Sequence, residues 1–493
     1  MIFDDSYLLI VALFIPVICA SLIFAFGKYP NIREGISILS GAALIYVVCS
    51  IAGIHDESTT LRAQLWEILP GIKIALHSES LSIIYALVAS VLWPVTIIYA
   101  TGYMRGNKEK NQPRFYIFFA ISIACAMGIA FAANLITFFL FYELMTLCTY
   151  PLVAHNETAA ARAGARKYLS TLMLGSIGLL LPAIAITYAI TGSLDFTQGG
   201  VFESDTNKTT IIVLLLLFTF GIAKAGIMPL HKWLPSAMVA PTPVSALLHA
   251  VAVVKAGVFG IAKILVYVFG FDSLQNLGQG WFSSQLVLYI ACFTIITASV
   301  IALFQTNLKR IMAYSTIGQL SYIVLSVALL NQAGVFGAGL QITTHALAKI
   351  TLFFVVGAVY VCTRRTELKQ VNGLGRKYPV LFGCYVIACL SMVALPFLAG
   401  YYSKGYISTA YGAASSDVAK YVLLVSLVLN CLYLFPIAIR AYFYKFVGDK
   451  VRKTADFKTS PMMLGAVILT TSLIITYGLY YESLVNILSL IYL

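Results

Sequence analysis

The stretch GIAKAGIMPLHKWLPSAMVAPTPVSALLHAVAVVKAGVFGIAKILVYV, from Gly221 to Val268, is mostly apolar enough for lipid. Yet Lys224 and Lys255 sit deep inside its apolar runs, with His249 close by. A lysine at the centre of a bilayer helix costs about 2.5–3.5 kcal/mol on the translocon scale. A leucine there contributes only about 0.3–0.6 kcal/mol. Each lysine therefore cancels roughly half a dozen leucines. Such residues mark working groups in a membrane segment rather than filler.

Working outward, 60% of the 493 residues are hydrophobic and 10% are charged, against about 25% charged in a soluble domain. Mean hydropathy is +0.91. The fold class expected is an all-α polytopic membrane protein. Apolar runs long enough to span fall near 7–27, 34–54, 79–101, 115–133, 134–154, 168–190, 210–229, 243–270, 282–304, 308–330, 334–362, 379–410, 420–445 and 461–491. These predict about fourteen transmembrane helices. The least distinct division lies at Ala133–Asn134, where two runs meet. The start is acidic, with Asp4 and Asp5, so the first run reads as a retained helix and not a cleaved signal. The polar stretches near 55–78 and 446–460 are too short to fold alone.

The loops test the count. With the N-terminus placed outside, the inward loops carry most of the basic residues: Lys28, Arg33, Arg105, Lys108, Lys110, Arg114, Arg162, Arg166, Lys167, Lys232, Lys309, Arg310, Arg364, Arg365, Lys369, Arg376, Lys377, Lys445, Lys450, Arg452, Lys453 and Lys458. The outward loops carry only Arg62, Lys73, Lys208 and Lys420. This is a positive-inside pattern. It accounts for the net charge of +13 as topology signals beside anionic lipid, so no nucleic-acid partner is implied. The nine cysteines are scattered and form no CxxC. No metal, iron–sulfur or other cofactor site is expected.

Few ionisable groups remain at membrane depth: Glu143, Lys224, Lys255, Lys263, Lys349, Lys404 and Arg440, with His249 and His345. Lys263 and Arg440 have a bland reading, a long stem snorkelling to an interface. Each histidine alone can be a hydrogen-bonded core residue. One carboxylate, however, does not neutralise Lys224, Lys255 and Lys404 together. The surplus has to meet water or trade protons, which is the chemistry of a relay. On the eighth run His249 and Lys255 are six apart, so direct contact is not expected. On the eleventh, His345 and Lys349 are four apart and share a face.

Helix breakers point the same way. Gly226, Pro229 and Pro235 follow Lys224, and Pro396 and Gly400 precede Lys404. Irregular backbone at membrane depth is tolerated where it is buried in protein or lines a cavity. The breaks fall in the seventh and twelfth runs, five runs apart. An odd offset reverses one five-helix unit relative to the other, as in an inverted repeat. The divisions expected are 1–114 for the first three helices, 115–270 and 271–447 for the two repeats, and 448–493 for the last helix.

The motifs FFLFYELMTLCTYPLV, HKWLPSAMVAPTPVSALLHA, LKRIMAYSTIGQLSYI and AGYYSKGYI resemble the antiporter-like pump subunits of respiratory complex I and of Mrp-type Na⁺/H⁺ antiporters, most of all the Mrp D subunit. The resemblance covers approximately Phe115 to Lys404. It implies that Glu143 is the fifth-helix glutamate and Lys224 its seventh-helix lysine. It makes Lys255 the central lysine and Lys404 the terminal group, with His249, His345 and Lys349 on a polar midplane axis. The implied function is a proton-translocating subunit of a multisubunit cation/proton antiporter. It would lie in a bacterial cell membrane among other integral-membrane subunits and lipid, moving protons and possibly Na⁺, without a redox centre of its own. The alternatives are a pump subunit of complex I or a membrane-bound hydrogenase, a stand-alone secondary transporter, and a membrane enzyme with its own quinone or haem.

Overall fold

The fold is seen in a computed structural model that describes residues 5–56, 59–69, 71–203, 205–278, 285–446 and 459–491. The expected inward residues Lys450, Arg452, Lys453 and Lys458, and the division at 447–448, lie outside the described residues. The chain is a helical bundle. Its first helices are α1 (Tyr7–Phe26), α2 (Pro30–Ile54), α3 (Ser80–Gly106), α4 (Gln112–Ala130) and α5 (Leu135–Val153). Then come α6 (Ala159–Thr191), α7 (Lys208–Gly221) and α8 (Thr242–Phe269). The second part holds α9 (Leu286–Leu303), α10 (Leu308–Val327), α11 (Gln332–Thr363), α12 (Pro379–Met392), α13 (Ala399–Ala413), α14 (Asp417–Phe443), α15 (Pro461–Leu479) and α16 (Glu482–Leu488).

Each expected apolar run coincides with one of these helices or with an interrupted pair. Among the described residues, eleven helices are long and apolar enough to cross a membrane. α7 and α12 are apolar but shorter, because each stops at a break. The ends follow local chemistry. Asn134 accepts from Thr137 N at 2.8 Å and so starts α5, which separates the two runs that meet there. Asn307 accepts from Lys309 N, and Asn331 from Gly334 N, at the heads of α10 and α11. Proline occupies the first turn of α2, α12 and α15, where its missing N–H costs nothing.

One element departs from an all-α chain. Residues 55–78 contain a hairpin, β1 (Arg62–Leu69) and β2 (Ile72–His77), paired antiparallel with Arg62 opposite His77. It does not fold alone. Ala133 N donates to Ala75 O, and His77 N to Phe131 O, which ties it to the α4–α5 link.

Burial ranks the helices. The most apolar window of α8 is wholly buried, and most of α11 and α3 is buried too. α1, α2, α6 and α14 bury about a third of theirs and present apolar side chains outward, as lipid- or subunit-facing helices do. The axis of the molecule is thus α3, α8 and α11.

Candidate functional site

The first break follows α7. Gly226 takes φ +72°, and the chain turns through short helical segments to Val239. The freed backbone finds partners: Lys224 N donates to the Tyr142 hydroxyl at 3.0 Å, and Trp233 Nε1 donates to Ala223 O at 2.9 Å. Gly257 of α8 lies against the Lys224–Ala225 peptide, where any Cβ would collide. Lys224 is fully buried. Its ammonium sits 3.2 Å from the Tyr142 ring centroid and donates to the Tyr142 carbonyl. Among the described residues no ion pair joins Lys224 to Glu143. Both carboxylate oxygens of Glu143 are buried and accept no hydrogen bond there. The two groups are therefore neighbours through Tyr142 and not a closed salt bridge.

In α8 a π-turn spans Leu247–Val251, a distortion frequent at functional sites. It carries His249, which is fully buried, lies tilted against Phe353 with ring centroids 5.0 Å apart, and has neither ring nitrogen hydrogen-bonded among the described residues. Lys255, also fully buried, meets His345 and not His249: Nζ lies 2.8 Å from Nδ1. Lys349 lies one turn along α11 from His345. It donates to Ser315 Oγ at 2.6 Å and to Met312 O at 3.4 Å.

The second break separates α12 from α13, with Ala394 at φ +63° and Phe397 at φ +68°. Gly400 packs directly on the Ser391 carbonyl, where no side chain fits. Lys404 Nζ caps the broken end by donating to Met392 O. Between His345 and Lys404 is a cavity of about 10 Å³ that Gln319 and Gln341 also line, room for about one water. Gln341 accepts from Ser403 at 2.7 Å and from Thr344 at 3.2 Å, and donates to Gln319 at 2.9 Å. On its other side Lys404 borders a more open cavity of about 470 Å³ with Tyr402 and Tyr481. The structure thus brings Lys255, His345, Lys349 and Lys404 onto one polar axis. Glu143 and Lys224 form a separate group at the first break, and among the described residues His249 makes no hydrogen bond to either group.

Two expectations need correction. Lys263 does not snorkel. It is fully buried, 3.2 Å from Glu79 Oε2, and donates to Ala132 O at 2.5 Å. Its partner is the residue before α3, which also meets His77 Nδ1 at 3.2 Å. Burial alone would raise the Glu79 carboxyl, but Lys263 and His77 hold it below the ordinary range. Arg33 is no loop residue either. It is buried in the first turn of α2, bonded to Glu34 at 2.9 Å and to Gln112 at 2.9 Å. Arg105 closes that cluster on Glu34. Sequence reasoning also passed over Gln319, Gln341, Ser315 and Ser403. Neutral amides and hydroxyls give little sign in hydropathy, and of the four only Gln341, eight residues before Lys349 on α11, shares a helix face with a flagged residue.

Residues 132–430 match the family described as NADH:quinone oxidoreductase/Mrp antiporter, TM. The chain belongs to that family. It is 31% identical over 350 residues to NADH-quinone oxidoreductase subunit N of Desulforudis audaxviator, covering 70% of this chain and 68% of that one. It is 27% identical over 476 residues to the D subunit of the Na⁺/H⁺ antiporter of Alkalihalophilus pseudofirmus, covering 95% and 93%. It spans 61% of the longer A1 subunit of the Na⁺/H⁺ antiporter of Staphylococcus haemolyticus. In three dimensions it resembles a chain of the membrane-bound sulfane sulfur reductase, an archaeal respiratory membrane complex. The TM-score there is 0.83 at 24% identity, over 98% of this chain and 96% of that one. That likeness shows that the two chains share one fold along almost their whole length.

Proposed function

We propose that the chain is the proton-translocating subunit of a multisubunit cation/proton antiporter of the Mrp type. The observation that carries this is the direct Lys255–His345 contact at full burial, continued by a water-sized cavity to Lys404. Buried ionisable groups at membrane depth mark proton relays, and donors and acceptors in contact are what a relay needs. In this reading Glu143 biases the charge on Lys224. Protons pass from Lys224 through His249 and water to Lys255, then by His345 and Lys349 to Lys404. Coverage of 95% and 93% with an antiporter's D subunit supports the Mrp assignment, and the 31% identity to NADH-quinone oxidoreductase subunit N supports a complex I-type pump as the second reading. The interrupted helices, one in each of 115–270 and 271–447, support two inverted repeats. The partners are other membrane subunits and the transported ions, and the N-terminus lies outside. The test is proton flux in vesicles holding the complete complex. Lys255→Ala should abolish it at unchanged subunit content, and normal flux in that variant would sink the reading.

A further inference from the structure

A second polar thread leaves Lys349 toward α14, away from His345. Lys349, Ser315, Tyr433 and Asn430 are all buried. Lys349 Nζ donates to Ser315 Oγ at 2.6 Å. Ser315 Oγ and the Tyr433 hydroxyl are 3.1 Å apart, and that hydroxyl also meets Asn430 Oδ1. An ammonium has only donors, a hydroxyl has one proton and two acceptor sites, and an amide has both. The charged Lys349 donates to Ser315. Where the Asn430 carbonyl takes the single Tyr433 proton, the Ser315–Tyr433 contact is made by the Ser315 proton, which gives the order Lys349 to Ser315, Ser315 to Tyr433, Tyr433 to the Asn430 carbonyl. Among the described residues Asn430 Nδ2 is buried outside any hydrogen bond of normal geometry, with the Tyr322 hydroxyl also facing the Asn430 side chain.

The same atoms support the opposite order. With Lys349 neutral, its nitrogen has a lone pair to fill. Ser315 turns to donate to it, Tyr433 turns to donate to Ser315, and Asn430 presents its unused amide N–H to the Tyr433 oxygen. No proton travels down this thread. The proton lost by Lys349 goes to the axis, and each hydroxyl only reverses its own. We infer that Ser315, Tyr433 and Asn430 are positioning residues, a reversible hydrogen-bond chain that solvates Lys349 in both charge states. This role rests on the relay proposed for the axis and deepens it. A fixed acceptor such as a carboxylate would trap the charge, and an apolar wall would expel it. The other groups facing Lys349 are the Met312 carbonyl on α10, Cys389 on α12, His345 on its own helix, and His249 and Lys255 on α8. None is a carboxylate, so this hydrogen-bond chain supplies the main polar support on that side.

The test is proton flux against pH in vesicles containing the complete complex, with subunit content measured by blot. Tyr433→Phe and Ser315→Ala weaken a charge-assisted chain, and such bonds favour the ammonium more than the amine. Flux should fall about tenfold, and the flux–pH profile should move to lower pH by about one unit. Ser315→Thr keeps the hydroxyl and should keep the profile. If Tyr433→Phe prevents assembly, the Ser315 pair decides. An alanine variant shifted beside an unshifted threonine variant supports the hydrogen-bond chain, and identical behaviour of the two overturns it. A fall in flux with no shift in profile means packing only and also overturns it. Lys255→Ala runs alongside. If it abolishes flux while Tyr433→Phe and Ser315→Ala match wild type, the hydrogen-bond chain is wrong and the relay stands. If Lys255→Ala transports normally, the relay fails and the positioning role of Ser315, Tyr433 and Asn430 fails with it.

Discussion

Lys255 Nζ and His345 Nδ1 are 2.8 Å apart, although ninety residues separate them in the chain. An ammonium can only donate, so with Lys255 charged, Nδ1 is the acceptor and the imidazole proton lies on Nε2. That second nitrogen is buried with no hydrogen bond among the described residues, and His345 borders the cavity toward Lys404. The arrangement suits a hand-over: a proton in at Nδ1, another out at Nε2. His345→Gln keeps an acceptor for Lys255 but cannot titrate. Proton flux should drop about 100-fold or more while the complex assembles at normal yield. Wild-type flux in the glutamine variant would leave His345 as a hydrogen-bond partner only.

Neither carboxylate oxygen of Glu143 accepts a hydrogen bond among the described residues, so the group adds no local tie to the fold. Removing a buried carboxylate that makes no hydrogen bond should not harm folding. Glu143→Gln and Glu143→Ala should therefore lower flux strongly while the unfolding temperature stays level or rises. Glu143→Asp should retain more activity. Normal transport in the alanine variant would break the proposed coupling to Lys224, and a collapse of stability would assign Glu143 to packing.

How far the sequence went depends on what kind of signal each feature leaves. A charge in an apolar run is visible along one dimension, so Lys224, Lys255, Lys349 and Lys404 stood out. Proline and glycine mark breaks in the same way, and both interruptions lie where Pro229 and Pro396 place them. Partnership is not one-dimensional. That Lys255 meets His345 and not His249 depends on how α8 and α11 cross and on a π-turn no residue pattern announces. Glu79 looks like a helix-end residue along the chain because it precedes α3, yet it is buried between His77 of the hairpin and Lys263 of α8. The hairpin itself was overlooked because a search for long apolar runs passes over RAQLWEIL and IKIALH, whose strands are short.

The Lys263–Glu79 pair gives a stability prediction. Both groups are buried, and the pair joins the start of α3 to the C-terminal part of α8. Removing one partner from a buried pair leaves an uncompensated charge, at about 3–5 kcal/mol. Glu79→Gln or Lys263→Met should each lower the unfolding temperature of the purified complex. The double variant should recover most of the loss. Three equal unfolding temperatures would show that the pair ties nothing together. Because burial alone raises the carboxyl and its partners lower it, the tie should persist at neutral pH and weaken on acidification through the carboxyl's folded-state titration.

Orientation is open to direct measurement. Lys110 is exposed between α3 and α4, and Gln198 is exposed between α6 and α7. With the N-terminus outside, a cysteine at position 110 should react with an impermeant maleimide only from the cytoplasmic side. One at 198 should react only from the outside. Labelling of both from one side would remove at least one crossing between them and the topology with it.

Lys404 sits where the axis opens. It borders the water-sized cavity toward His345, a cavity of about 120 Å³ beside Tyr322 and the larger one beside Tyr402. Its ammonium also caps the broken end of α12 at Met392 O. Two roles are thus superposed, a proton port and a cap, and they respond differently to arginine. Arginine offers donors to the carbonyl end but holds its proton at every working pH. If Lys404 is a port, Lys404→Arg should fail nearly as badly as Lys404→Ala, with the complex still assembled. If it is a cap, arginine should transport and alanine should not. The measurement is cation-driven proton flux in vesicles with subunit content checked by blot. Full activity in the arginine variant would take Lys404 out of the relay and leave it holding the broken helix end.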